Sequence, residues 1–142
     1  MIKKNIFKIF LLVMLIQFNN LYGQSNYFDQ GKVFFEKKDY IKAKFKFEQD
    51  IVYNPKSENS YLFLAKIYNH EKKKNLEENN LNTVILLNPK NEFAVHDLIK
   101  LKIEKSDFSK AESLITNFKL ICKDLCDKVS NLKNDIKNLS KK

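Results

Sequence analysis

The sequence predicts an all-α protein, on three observations. The chain of 142 residues contains two glycines and two prolines, too few for the tight turns of a β-sandwich or a β-barrel. Apolar residues recur at spacings of three and four along most of its length, as they do on a helix that buries one face. The pattern itself recurs every 34 residues, the interval between Pro55 and Pro89. Such a fixed period indicates a series of similar helical units.

Residues 1–23 have the layout of a secretory signal peptide. Lys3, Lys4 and Lys8 precede an unbroken apolar run, 9–16, and a polar stretch ends at Gly23. The run is too short to cross a bilayer, which takes about 20 apolar residues. We expect cleavage and export to a bacterial periplasm or beyond, with a retained N-terminal anchor as the alternative. Cleavage would lower the formal charge from +9 to +6, because three lysines and no acids lie in this segment.

The mature chain repeats with the period set by its two prolines. Pro55 and Pro89 each follow an asparagine and precede a lysine. The segment 38–43 recurs two periods later as 106–111, with aspartate, lysine and alanine at matching places. Each cycle divides into two helices around a short polar break, and the asparagine-proline pair ends the second helix. Residues 24–125 are therefore predicted to form three stacked helical hairpins.

This pattern resembles the tetratricopeptide repeat (TPR) family, whose 34-residue unit places aromatic, small and bulky apolar residues before a closing proline. The first repeat, 24–57, has the family's residue types at Tyr27, Gly31, Phe34, Ala43, Phe47 and Pro55. The second, 58–91, has them at Tyr61, Ala65, Tyr68, Leu81 and Pro89. The third, 92–125, keeps Phe108, Ala111 and Ile115. The resemblance implies a right-handed superhelix of stacked antiparallel helix pairs, with a protein segment bound in its concave groove.

Three residues depart from the family pattern. Glu77 stands where a small apolar residue is usual, and Lys102 and Lys123 replace an aromatic and the proline. Small residues at such places let neighbouring helices approach closely. We expect Glu77 either to be exposed through a loosened crossing or to be satisfied by one of the lysines 72–74.

The C-terminal segment, 126–142, is predicted to be an amphipathic helix. Its apolar residues continue from Leu125 at spacings of four and three through Val129, Leu132, Ile136 and Leu139. Such a helix would cover the apolar side of the third hairpin and give water a polar outer face. A short coiled-coil seam would use the same residues, so the chain is expected to be a monomer or a weak dimer.

The composition offers little for catalysis. All 26 basic residues are lysines, so no guanidinium is present for bidentate phosphate or carboxylate binding. His70 and His96 lack an evident third ligand for a metal. Cys122 and Cys126 could form a disulfide or remain two buried thiols. We therefore expect neither an enzyme nor a bound metal or cofactor.

Three lysines mark a possible binding surface. Lys32, Lys66 and Lys100 lie one repeat period apart, each on the first helix of its repeat. By the resemblance they would line the concave groove, beside two further rows: Phe28, Leu62 and His96, and Phe35, Asn69 and Ile103. The expected partner is a protein or peptide segment, acidic and partly apolar.

Two other functions compete with this interpretation. The lysines could bind an anionic surface or nucleic acid, although the 17 acids are interspersed among them, which would make counterion release small and argues against nucleic acid. The chain could also be a non-catalytic subunit of an envelope enzyme complex.

Overall fold

A computed structural model describes residues 26–140 and shows seven α-helices in that part of the chain. They are α1 (Tyr27–Glu36), α2 (Tyr40–Tyr53), α3 (Glu58–His70), α4 (Lys74–Leu87), α5 (Glu92–Glu104), α6 (Phe108–Ile121) and α7 (Lys128–Leu139). Each helix packs against the next along the chain. The all-α prediction is confirmed, whereas the predicted signal peptide lies outside the described residues.

The helices recur with the period of the sequence. α2, α4 and α6 each contain 14 residues, and each begins one period after the one before it. α3 and α5 each contain 13 residues and are separated by the same interval. This order is compatible with a helical repeat made of the hairpins α1–α2, α3–α4 and α5–α6.

Each hairpin has the same turn between its two helices. Lys38, Lys72 and Ser106 occupy equivalent positions of the three repeats and adopt positive φ angles of 60°, 57° and 58°. The N–H of each donates to the carbonyl three residues earlier, and the next N–H donates to the carbonyl five residues earlier. These two bonds define a Schellman motif, which usually has glycine at the left-handed position.

Polar side chains begin several of the helices. The carboxylates of Asp39 and Asp107 accept N–H bonds from the residues three positions later, at 3.2 and 3.3 Å. The Asn91 side chain accepts the Ala94 N–H at 3.0 Å in the same way. Each bond satisfies one of the backbone donors that a helix N-terminus leaves unpaired.

Small residues lie at the helix crossings, as the sequence predicted. Ala43, Ala65 and Ala111 are at most 2% exposed. Gly31 is buried on α1, where an added Cβ would lie 2.6 Å from Cε1 of Phe47. Because that contact is far shorter than van der Waals distance, only glycine lets α1 approach α2 so closely.

The last helix packs on the third hairpin. Leu132 and Ile136 are 3% and 6% exposed and belong to one buried cluster with residues of α5 and α6, among them Val95 and Phe118. The rest of α7 is mostly exposed and carries lysine, asparagine and aspartate. α7 therefore covers apolar surface of the third hairpin and turns a polar face outward.

The two junctions between hairpins differ in chemistry. Between α2 and α3, the buried Ser60 hydroxyl donates to Asp50 Oδ2 at 2.6 Å. The equivalent residues one period later, between α4 and α5, are Val84 and Ala94, both fully buried. The fold therefore accepts either a hydrogen-bonded pair or an apolar contact at this place.

Candidate binding site

A polar pocket of about 110 Å³ lies between the second and third hairpins. It is lined by side chains of α3, α4 and α5: Ala65, Lys66, Asn69, Glu77, Leu81, Asp97, Lys100 and Glu104. Lys66 and Lys100 occupy equivalent positions on α3 and α5. The repeat therefore brings two equivalent lysines to one place.

Glu77 is the most buried charged residue of this pocket. It is 4% exposed, and its Oε1 accepts a hydrogen bond from Asn69 Nδ2 at 3.0 Å. Burial raises the pKa of Glu77, the Asn69 bond opposes the rise, and the nearby Glu104 and Asp97 add to it. The expectation that Glu77 would be exposed is wrong, and its hydrogen-bond partner is an asparagine rather than a lysine. The Asn69 amide is the one side-chain hydrogen-bond donor that Glu77 has within residues 26–140.

The other two carboxylates of the pocket are already partnered. Asp97 Oδ1 lies 3.0 Å from Nδ1 of His96. Glu104 lies 3.4 Å from the Lys74 ammonium group. By contrast, neither Lys66 nor Lys100 has a salt-bridge partner among residues 26–140. Within this part of the chain, the two ammonium groups are thus the positive charges of the pocket without a salt bridge, and Glu77 is a carboxylate in the same lining that has none.

The structure brings three of the nine predicted site residues together in this pocket, Lys66, Asn69 and Lys100. The ammonium group of Lys66 lies 5.1 Å from the ring centre of Phe63, so the ring supports the lysine on one side. Asn69 holds Glu77, a structural role that the sequence did not suggest. Lys32 is exposed on α1 and is not part of the pocket lining.

Two of the predicted residues are buried in the core. Leu62 is 7% exposed and packs with Leu81 and Leu98. Ile103 is 6% exposed and packs with Ile99 and other residues of the third hairpin. Their side chains stabilise the helix packing and offer little surface to a partner.

The remaining predicted residues are half-buried among aromatic rings. Phe28 and Phe35 both contact Phe63, with ring centres 5.7 and 5.0 Å apart. His96 lies 6.0 Å from the ring of Phe118. Replacing Phe28 or Phe35 would therefore change the packing of the first hairpin on α3 as well as any contact with a partner.

A second ionic cluster explains the lysine that replaces an aromatic in the third repeat. Lys102 Nζ lies 2.6 Å from Glu78 Oε1, and Lys105 Nζ lies 2.7 Å from Oε2 of the same glutamate. Hydrogen bonds from these two lysines lower the pKa of Glu78, and the bond to Glu78 raises the pKa of Lys102. The departure from the pattern thus links α4 to α5 by charge.

The two cysteines form a disulfide, and a buried glutamate holds the loop that contains them. Cys122 and Cys126 have Cα atoms 5.2 Å apart and lie after the end of α6. The Glu92 carboxylate, 7% exposed, accepts N–H bonds from residues 123, 124 and 125 at 2.7 to 3.2 Å. These backbone bonds lower the pKa of Glu92.

The described residues contain no group of three or more histidine, cysteine or acidic side chains placed to hold a metal ion. His70 packs on the ring of Tyr40 at 4.4 Å, whereas His96 contacts Asp97 and Phe118. Between residues 26 and 140, no helix has the length and apolar character needed to cross a membrane.

No protein-family model matches the chain, and no curated protein matches it.

Proposed function

We propose that this protein is an exported, non-enzymatic TPR adaptor that binds an extended protein segment along the first helices of its hairpins. The observation that carries the proposal is the pocket between α3 and α5, where Lys66 and Lys100 recur with the period of the repeat. Their ammonium groups lack ion-pair partners among the described residues, whereas Glu104 contacts Lys74, Asp97 contacts His96 and Glu77 accepts a hydrogen bond from Asn69. A ligand carboxylate would find two donors there.

The size of the pocket favours a chain segment over a small substrate. Sites for small molecules typically enclose about 300–1,000 Å³, whereas this pocket has about 110 Å³. A single acidic side chain fits that volume, and the rest of a bound segment would run along the exposed surface of α1, where Lys32 lies. The proposed partner is thus an acidic segment. Contacts with the ring of Phe63, beside Lys66, would favour apolar residues in that segment as well.

The proposal is tested with a peptide array in which every acidic peptide is paired with its asparagine or glutamine counterpart. We expect the protein to prefer the acidic members. Replacing Lys32, Lys66 and Lys100 by Ala should weaken their binding by about 1–3 kcal/mol, because each groove charge contributes under about 1 kcal/mol. The matched control replaces Lys56, Lys90 and Lys110, which are exposed outside the pocket.

Equal losses in both triple variants would show that net charge, rather than the pocket, drives binding. A binder of polyanions would behave in that way and would lose most of its affinity between about 50 and 200 mM salt. Full binding by the variant that lacks Lys32, Lys66 and Lys100 would overturn the proposal.

A further inference from the structure

The outer face of α2 carries large apolar side chains that the fold does not bury. Ile41, Phe45 and Val52 are 79%, 57% and 76% exposed. Their spacings of four and seven place them on one side of the helix. None of them belongs to, or packs against, the buried clusters.

The other hairpins show that two of these residues are not needed for the fold. At the positions of Ile41 and Phe45, α4 has Asn75 and Asn79, and α6 has serine at both, residues 109 and 113. All four polar residues are exposed. Val52 differs, because its equivalents Leu86 and Leu120 are also apolar and more than 80% exposed. Ile41 and Phe45 therefore distinguish α2 from the equivalent helices.

Charge distinguishes the same segment. The segment 37–46 contains five lysines and one aspartate, a formal charge of +4. The equivalent segments 71–80 and 105–114 contain equal numbers of lysines and acids and are formally neutral. The basic excess of the repeat region is thus concentrated beside the exposed apolar residues of α2.

Few of these lysines are neutralised. Lys42 pairs with Asp39 at 2.9 Å, the one salt bridge that these five lysines make within residues 26–140. Lys46 instead lies over the rings of Tyr27 and Phe45, at 5.1 and 5.8 Å from the ring centres. Lysines with long, flexible stems therefore flank Ile41 and Phe45, and Glu48 is the exposed acid farther along this face, between Phe45 and Val52.

We infer that the outer face of α2 and the turn before it dock on an anionic lipid surface. Ile41 and Phe45 would enter the boundary between headgroups and acyl chains, and the surrounding lysines would lie among the lipid phosphates. Basic helices with an apolar face bind membranes in this way, and each lysine near the surface adds to the attraction.

Charge also argues against a second copy as the occupant. In a two-fold dimer this face would meet itself, so two segments of charge +4 would be brought together. Like charges across an interface oppose association. A nucleic acid would match the lysines but would leave the aliphatic side chain of Ile41 without a suitable contact.

The test measures binding to lipid vesicles by the chain from Gln24 to Lys142. This chain retains every residue of the three buried clusters. Vesicles of phosphatidylcholine with about one-third phosphatidylglycerol should bind it, and pure phosphatidylcholine vesicles should bind it at least about tenfold more weakly. The variant Ile41→Asn with Phe45→Asn copies α4 and should lose about tenfold in affinity for the anionic vesicles.

The matched control is Leu86→Asn with Leu120→Asn, which removes equally exposed apolar side chains outside the basic segment and should bind as the unmodified chain does. Circular dichroism should show the same helix content in both variants. Equal vesicle binding by the α2 variant overturns the inference, as does failure of the unmodified chain to bind anionic vesicles. The inference is also overturned if the unmodified chain sediments as a dimer and the α2 variant does not, which would assign the face to a second copy. It is overturned likewise if the α2 variant loses binding to single-stranded DNA but not to vesicles, which would assign the face to nucleic acid.

Discussion

Two buried glutamates, one on α4 and one at the start of α5, are held in opposite ways. Glu77 in the polar pocket is 4% exposed and accepts one side-chain amide bond, and its pKa is raised. Glu92 is 7% exposed and accepts backbone N–H groups of three successive loop residues, and its pKa is lowered. Burial alone does not decide the charge of a carboxylate; the number of donors that replace water does.

The two sites also differ in what they do for the protein. Glu92 fixes the loop between α6 and α7 and so stabilises the placement of the last helix. Glu77 lines the same pocket as Lys66 and Lys100 and is buried, so an ionised carboxylate there is poorly solvated and adds negative charge to the pocket. We therefore expect the ionised Glu77 carboxylate to oppose folding, whereas the ionised Glu92 carboxylate favours it.

The largest effect is expected at Glu92. Glu92→Gln should lower the free energy of unfolding by about 2 kcal/mol at pH 7, because charge-assisted bonds to three N–H groups are weakened. Urea denaturation measures it, with Glu58→Gln as the control. Glu58 occupies the equivalent position on α3 and accepts no side-chain hydrogen bond within residues 26–140.

The pH dependence sharpens this test. Since the pKa of Glu92 is lowered by folding, its stabilisation is present above the ordinary carboxyl pKa and is lost as pH falls through the lowered value. The difference between the unmodified chain and Glu92→Gln should therefore shrink in acid. A constant difference would show that shape, rather than charge, is what Glu92 contributes.

A smaller effect is expected from the disulfide in the same loop. Cys122→Ser with Cys126→Ser should cost at most about 2 kcal/mol in unfolding free energy, since the closed loop is short. Because the disulfide and Glu92 restrain the same segment, the combined variant should lose less than the sum of the two losses. Strict additivity in urea denaturation would show that the two restraints act independently.

The smallest effect, with the opposite sign, is expected at Glu77. Glu77→Gln keeps an acceptor for Asn69 and removes a charge that burial disfavours, so it should stabilise the protein by up to about 1 kcal/mol at pH 7. In the unmodified chain, a Glu77 pKa raised by folding favours the folded state at low pH, where the carboxyl is protonated. This contribution is lost as pH rises through the raised pKa, so the variant is the more stable of the two at pH 7. The gain should therefore vanish in acid. A destabilised variant at pH 7 would show that the ionised carboxylate is well solvated, against the contrast with Glu92.

The helices could be predicted from the sequence because their signals are local. The prolines repeat with the period of the fold, and so do the small residues, Gly31 with Ala65 and Ala43 with Ala111. Apolar spacing within each segment indicates its buried face. The roles of Leu62 and Ile103 are harder to predict, because the resemblance places whole rows of residues on one surface. Contacts with the following helix bury individual members of such rows.

Other features depend on contacts that leave no local signal. Glu92 accepts hydrogen bonds from backbone N–H groups of the loop after α6. Because almost every residue type has a backbone N–H group, no sequence pattern marks these donors. The sequence spacing leaves the cysteine pair ambiguous, because in an unbroken helix two side chains four residues apart point poorly for a disulfide. α6 ends at Ile121, so both cysteines lie in a loop and that obstacle is absent.

The three identical turns imply an unused reserve of stability. Lys38, Lys72 and Ser106 hold a left-handed backbone that costs a residue with a Cβ about 1 kcal/mol relative to glycine. Lys74, beside the second turn, contacts Glu104, beside the third, so the gains of three glycine substitutions should add only in part at these two turns. A chain that can recover such amounts at three solvent-exposed sites has room to accept destabilising changes elsewhere, in its binding surfaces above all, without losing its fold.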